Sequence, residues 1–212
     1  MARLPNIQRA HKICVICEGN EDFLYFDKLT KIAVWDKAYE FCLFNAKSAS
    51  NIPAMYTDKF QNNNYEAVLI FCDTDKSPYR EYALIKKKIR EFHGEKTAAP
   101  IKVIIFANPC TMQIILSHFD DVKLENQGKK TNAAIIEQLT GVPNYDAHED
   151  QIKAICSKIL HRNYPDMRER VSGMNSPDTV SASTNFITFL EKFESDNVKW
   201  IAALSKYLAD SE

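Results

Sequence analysis

The chain of 212 residues has only five glycines and no long apolar run. So little glycine excludes collagen-like sequences and glycine-rich linkers. No apolar stretch reaches the roughly 18–20 residues that a membrane-spanning helix needs, so we predict no membrane association. Residues 1–11 are polar and basic, and no apolar segment typical of a secretion signal follows them. We therefore expect a cytoplasmic protein.

The chain also lacks a strong net charge, because 27 basic residues nearly balance 28 acidic ones. The high pI of many nucleic-acid-binding domains is absent. Basic clusters at 86–90 and 129–130 are interpreted first as solvated surface. The motifs GxxxxGK[ST], GxSxG and GxGxxG do not occur. The signatures of P-loop nucleotide binding, serine hydrolysis and dinucleotide binding are therefore missing.

Six cysteines are scattered along the chain, and four of them lie in apolar runs. This distribution is typical of buried thiols in a reducing compartment and not of a disulfide framework. Cys14 and Cys17 have CxxC spacing. On a strand, residues three apart point to opposite faces, so this pair does not predict a zinc site.

Short apolar runs alternate with amphipathic segments in the first half of the chain. The runs cover residues 13–17, 41–44, 67–72 and 101–106. Such alternation predicts right-handed βαβ crossovers and a parallel sheet. We predict an α/β fold with a Rossmann-like, parallel four-stranded sheet flanked by helices.

The alternation stops after Met112, and a helical C-terminal extension is predicted there. The expected helices cover residues 114–119, 131–139, 146–160 and 184–208, with a polar loop over 163–183. The predicted organisation is an α/β core over residues 1–120 and a helical part over residues 121–212 that packs on it.

Acidic residues stand at the ends of two predicted strands. Glu18 and Gly19 follow the first strand, and Asp73 and Asp75 follow the third. Ligands of parallel sheets bind beyond the carboxyl ends of the strands. If these two strands are neighbours, three carboxylates converge there, and they repel one another unless a cation is bound. Mg²⁺, or Mn²⁺ in its place, prefers such oxygen ligands.

The spacing of these residues suggests how they would act. Asp73 and Asp75 alternate on a segment that we expect to be extended, so both could face one ion. Gly19 is expected to allow a tight turn and a close approach of a ligand to the backbone. Each motif alone is common, and acids after strands also cap helices. The combination is what predicts a site.

With these motifs the sequence resembles RloB-like proteins, a Toprim-fold family related to OLD-type nucleases of prokaryotic defence. The resemblance covers nearly the whole chain and is strongest at the ends of the first, third and fourth strands. The residues that carry it are Cys17-Glu18-Gly19, Tyr25-Phe26, Asp73 with Asp75, Asn108-Pro109-Cys110, His118-Phe119 and 183–186.

The resemblance implies a metal-dependent endonuclease, a hydrolase that cleaves phosphodiester bonds of RNA, tRNA included, or of DNA. It implies that Glu18 is a general acid/base or metal ligand and that Asp73 and Asp75 bind Mg²⁺. It also implies an effector of antiviral defence, with nucleic acid as substrate and an ATPase partner encoded nearby. A homo-oligomer is left open.

Three further residues near these motifs have two interpretations each. Lys76 could contact a substrate phosphate or offset the charge of the carboxylates. Asn108 could bond a carboxylate ligand or cap the next helix. His118 could act as a general base or orient a phosphate, or it could be a hydrogen-bonded structural histidine.

The sequence departs from the family at two places. Family members often carry an acidic residue where Met112 stands, and Thr-Glu where Glu21 and Asp22 stand. The missing carboxylate puts a second metal site in question. It leaves as an alternative a non-catalytic, metal-binding module that docks on the ATPase. Nucleotidyl transfer of the primase kind would need a basic triphosphate site, and no such motif is visible.

Overall fold

A computed structural model describes residues 10–32, 34–62, 64–75, 78–94 and 98–209. Within these ranges, five strands form one sheet. They are β1 (His11–Cys17), β2 (Tyr39–Asn45), β3 (Ala67–Asp73), β4 (Ile104–Asn108) and β5 (Ser183–Thr184). Their order is β2-β1-β3-β4-β5. The first four strands are parallel, and β5 runs antiparallel to β4. Residues 13–17 of β1 and 67–72 of β3 are all buried, which explains the unbroken apolar sequence of these segments.

Helices connect the parallel strands and cover the sheet. They are α1 (Asn20–Lys31), α2 (Ile52–Gln61), α3 (Arg80–His93), α4 (Ala99–Val103), α5 (Thr111–Leu116), α6 (Lys129–Thr140), α7 (Glu149–Lys158), α8 (Tyr164–Gly173), α9 (Phe186–Phe193) and α10 (Lys199–Ala209). α1 illustrates why they form: it buries Tyr25, Phe26 and Leu29, whose spacing of three and four places them on one face. α1 contacts β2 on the sheet and α7 on the other side.

The predicted α/β class is confirmed, but the predicted number of four strands is wrong. β5 escaped prediction because two residues cannot show an alternating pattern. The side chain of Asn185 continues the pairing where β5 ends. Its Oδ1 accepts a hydrogen bond from Phe106 N at 2.9 Å, and its Nδ2 donates to Ile104 O at 2.8 Å. This amide replaces strand backbone along the edge of β4.

The strand predicted over 101–106 begins only at Ile104, because residues Ala99–Val103 form the short helix α4. Pro100 lies in the first turn of α4, where its fixed φ favours a helix and its missing N–H costs nothing. Ile101, the first residue of the predicted strand, is 74% exposed.

Two predictions for the C-terminal part are also corrected. The polar stretch 163–183, expected to be a loop, contains α8, which has Pro165 in its first turn and buries Tyr164, Met167 and Val171. The single helix expected over 184–208 is two helices, α9 and α10. The polar residues 194–197 and Val198 separate them.

An aromatic cluster joins the C-terminal helices to the sheet. Phe186 of α9 stacks on Phe71 of β3, with ring centroids 5.6 Å apart and an interplanar angle of 24°. The ring centroid of Phe26 in α1 lies 5.7 Å from that of Phe71 and 6.3 Å from that of Phe193. The apolar core continues from β1 to α10. The proposed division at residue 120 stays a prediction.

Candidate functional site

The carboxyl ends of β1 and β3 bring Glu18 and Asp73 together. The two strands are neighbours, with Cys17 opposite Phe71, as the sequence argument required. Glu18 Oε2 accepts a hydrogen bond from the backbone N–H of Asp73 at 3.1 Å. The Glu18 carboxylate is therefore fixed at the end of the neighbouring strand.

Asp75 reaches the same place by a different backbone path from the one predicted. Thr74 N still pairs with Ala107 O at 2.9 Å. Asp75 then adopts a left-handed conformation with φ of 58°, which aspartate tolerates better than most residues. The prediction of an extended segment from Asp73 to Asp75 is wrong. The side chain of Asp75 nevertheless lines the same cleft as Glu18 and Asp73.

The first turn of α1 adds two acids that were not chosen as site residues. Asp22 is 4% exposed, and its Oδ2 accepts a hydrogen bond from Gly19 N at 2.9 Å. Glu21 accepts a hydrogen bond from the Tyr145 hydroxyl of the loop before α7. The available signal was their position within four residues of Glu18, because a helix that starts at a strand end keeps its first turn there.

Thr111, at the start of α5, connects the acids of α1 and β3. Its hydroxyl donates to Asp22 Oδ1 and lies 3.0 Å from Asp73 Oδ1. Its backbone N–H donates to Asp73 Oδ1 at 2.7 Å. Thr111 thus positions both carboxylates.

Thr111 gives a testable prediction for stability. In Thr111→Val, Asp22 loses a buried hydrogen-bond donor, so we expect the free energy of unfolding to fall by about 1–3 kcal/mol. Urea denaturation of wild type, Thr111→Val and Thr111→Ser at pH 8 would measure this. The serine variant keeps the hydroxyl and should stay closer to wild type. Equal stability of the valine variant and wild type would mean that the bridge contributes nothing.

These residues surround a cleft of about 550 Å³. One side is acidic and carries Glu18, Glu21, Asp22, Asp73 and Asp75. The other side comes from α5, α6, α7 and the loops between them. It supplies mainly apolar residues, and α6 adds the polar side chain of Asn132. The apolar residues are Cys110, Met112, Ile136, Tyr145 and Ile152. The cleft therefore combines an acidic wall with an apolar floor.

Crowding and burial change the acidity of this wall. Burial, then the charges of Asp22 and Asp75, raise the pKa of Glu18 to about 8. Burial raises the pKa of Asp22 to about 7. The hydrogen bond from Thr111 acts to lower this pKa, and the negative charge of Glu21 acts to raise it. Burial and the charges of Asp22 and Glu18 hold the pKa of Asp73 well above its usual range. Such perturbed groups in a cleft are typical of functional sites.

A pH dependence of stability follows from these pKa values in the absence of a cation. The folded pKa of Glu18 is about 8 against 4.5 in the unfolded chain, so the folded chain binds more protons in that interval. The stabilising effect of the proton bound at Glu18 is complete below pH 4.5 and is lost as pH rises through 8. We expect a lower urea midpoint at pH 8 than at pH 6 in EDTA. Glu18→Gln, which cannot ionise, should reduce this difference, and an unchanged difference would contradict the assignment.

Gly19 and Lys76 are two further residues that the sequence predicts for the site. Gly19 lines the cleft, but its φ of −140° is open to any residue, and a Cβ there would meet Asp22 Oδ2 at an ordinary 3.8 Å. The special turn predicted at Gly19 is not needed. Lys76 lies outside the described residues, as does most of the N-terminal segment.

Asn108 and His118 are buried away from the cleft lining. The Nδ2 of Asn108 donates to Asp178 O at 2.7 Å, so its amide binds the C-terminal part. The Nε2 of His118 lies 3.0 Å from the Tyr25 hydroxyl. Burial lowers the pKa of His118 to about 3, so the ring is neutral near pH 7. These contacts favour structural roles for both residues.

The donor chemistry of the acidic wall fits a hard cation such as Mg²⁺. The described residues contain no group of three or more His, Cys, Asp or Glu side chains already arranged to hold a metal ion. Glu18, Asp22 and Asp73 each also accept a hydrogen bond from a backbone N–H. Binding through one or two carboxylates and several waters, as Mg²⁺ commonly binds, suits this arrangement better than a full protein cage.

Comparisons with protein-family models, curated proteins and solved structures found no match. What the fold and the cleft define is a class of architecture, an α/β protein with a mostly parallel five-stranded sheet and acids at its carboxyl edge. None of the helices in the described ranges has the length and apolarity to cross a membrane.

Proposed function

We propose that this chain is a Mg²⁺-dependent nuclease with a Toprim-like site. The observation that supports this proposal best is the hydrogen-bonded pair of Glu18 and Asp73 at the carboxyl ends of neighbouring strands. Asp22 and Asp75 lie in the same cleft. Carboxylates crowded in this way raise one another's pKa values and favour a divalent cation that neutralises them.

The proposed roles follow from the position of each side chain. Asp73 and Asp75 would hold Mg²⁺, and Asp22 in the same cleft could add a third carboxylate. The ion would stabilise charge on a phosphoryl oxygen when bound. Glu18 would accept a proton from the water that attacks the phosphodiester, because its carboxylate lines the cleft beside Asp73. Thr111 keeps Asp22 and Asp73 in position.

An acidic side chain of α1 lies beside Met112, the position at which the sequence departs from the family pattern. The family pattern would place an acid there, whereas Met112 is buried in the cleft. The Glu21 carboxylate lies against the backbone N–H of Met112. An acid from α1 thus lies where the resemblance implies one from α5. This supports a complete acidic set despite the departure.

A second candidate function is a non-catalytic module that binds Mg²⁺ for stability and docks on an ATPase. It is favoured by the absence of a ready three-ligand group in the described residues. The role in antiviral defence, the ATPase partner and the cytoplasmic location are proposals carried by the resemblance alone.

Cleavage assays with the purified chain test the proposal. Total tRNA, other RNA and plasmid DNA would be incubated with Mg²⁺ or Mn²⁺, with EDTA, and with Glu18→Ala. Metal-dependent cleavage that the variant loses would support the nuclease and identify its substrate class. If no substrate is cut, with or without the neighbouring ATPase, the non-catalytic module becomes the better explanation.

A further inference from the structure

The cleft has a second half that the proposed metal ligands do not use. Its floor is formed by buried apolar residues, Met112 of α5, Ile136 of α6 and Ile152 of α7 among them. The ring of Tyr145 joins this floor, while its hydroxyl faces Glu21 on the acidic wall. At about 550 Å³, the cleft falls within the usual range of roughly 300–1,000 Å³ for small-ligand pockets. An apolar surface therefore lies directly beside the acids.

Two lysines line the cleft on different elements. Lys47 follows β2, and Lys129 is the first residue of α6. Across the described ranges, no carboxylate oxygen lies within 4.0 Å of either lysine nitrogen. Many other lysines of the chain are paired, such as Lys86 with Asp178 at 2.5 Å. Both cleft lysines are exposed, and the charge of Lys129 already acts on the Glu21 carboxylate. A phosphate near Lys129 would therefore lie beside the acidic wall.

The charge of the cleft argues against a long duplex. Its described lining carries five carboxylates and two lysines. Duplex-binding proteins commonly neutralise about 6–10 phosphates, and their affinity depends on that number. A site with few cations suits a short contact that involves one or two phosphates. A paired base is stacked and has its edges occupied, so it could not reach the apolar floor.

We infer that the cleft binds one unpaired nucleotide beside the cleaved phosphate, with its base on the apolar floor and its phosphate near Lys129. This inference rests on the proposed nuclease function and narrows its substrate class to single-stranded or looped nucleic acid. Lys47, which follows β2, would contact the strand at a second point of the cleft. Gln127, two residues before Lys129, also lines the cleft.

Binding measured separately from cleavage tests this inference. Fluorescence anisotropy would follow a labelled single strand and the matching duplex in Ca²⁺, which also binds oxygen ligands. We expect the single strand to bind more tightly. Lys129→Ala and Lys47→Ala should each weaken binding and make the slope of log K against log salt less negative by about 0.7. Lys130→Ala, which removes a neighbouring lysine outside the lining, is the matched control.

A bulky residue in the cleft lining tests whether a base occupies the cleft. Gln127→Trp should fill part of the cleft and weaken single-strand binding by about 10-fold, since stacking of one base contributes that order of affinity. Ala134→Trp, on the exposed face of α6, is the control for added bulk. Tighter binding of the duplex, no binding of either strand form, or wild-type affinity in Gln127→Trp and Lys129→Ala would overturn the inference. Binding as expected without any cleavage would instead count against the proposed nuclease alone.

Discussion

Replacing Glu18 by glutamine is expected to lower metal-dependent cleavage by about 10²–10⁴-fold, the usual contribution of a general acid or base. Glutamine has the same shape, and its side-chain oxygen can still accept the hydrogen bond from Asp73 N that Glu18 accepts at 3.1 Å. The variant removes only the charge and the ability to take a proton. Initial rates at saturating Mg²⁺, on whichever substrate the wild type cleaves, would measure the loss.

The control for this experiment is Glu125→Gln, because Glu125 is exposed and lies outside the cleft lining. It should cleave at the wild-type rate. Circular dichroism should show that both variants are folded. If Glu18→Gln cleaves as fast as the control, the proton acceptor is another group, and the assignment of Glu18 is wrong.

The central pair of the site was predictable because it follows from a general rule. Glu18 and Asp73 end apolar runs, and parallel strands present their carboxyl ends at one edge of the sheet. The path to Asp75 could not be predicted, because a left-handed backbone at aspartate leaves no pattern in the sequence. The spacing of Asp73 and Asp75 alone predicts an extended strand there, but the backbone turns at Asp75.

Thr111 and the apolar floor illustrate what sequence reasoning misses. Thr111 lies 38 residues from Asp73 and contacts it only because α5 follows the neighbouring strand β4. Ile136 and Ile152 have helical spacing with their neighbours, so each is simply read as core. Their position beside the acids depends on how α6 and α7 pack, which no local pattern specifies. Tertiary packing also created β5, a strand too short to predict.

Replacing Phe186 by alanine is expected to lower the free energy of unfolding by about 3–5 kcal/mol, as for other large aromatic residues removed from cores. Phe186 is 0% exposed and stacks on Phe71 of β3. Its ring centroid also lies 6.3 Å from that of Phe26 in α1. The variant therefore removes one of the rings through which α9 contacts both the sheet and the helix that carries Asp22. Urea denaturation followed by circular dichroism and by tryptophan fluorescence would measure the change.

Ile101→Ala is the matched control, since it also removes a large apolar side chain but from a position that is 74% exposed. Its unfolding free energy should stay within about 0.5 kcal/mol of wild type. Coincident transitions by the two probes in Phe186→Ala would mean that the sheet and the C-terminal helices unfold together. Separate transitions would mean that residues 121–212 can unfold alone. In that case the cleft residues of α6 would unfold before the acidic wall. The reason is that α6 belongs to residues 121–212, whereas the carboxyl ends of β1 and β3 do not.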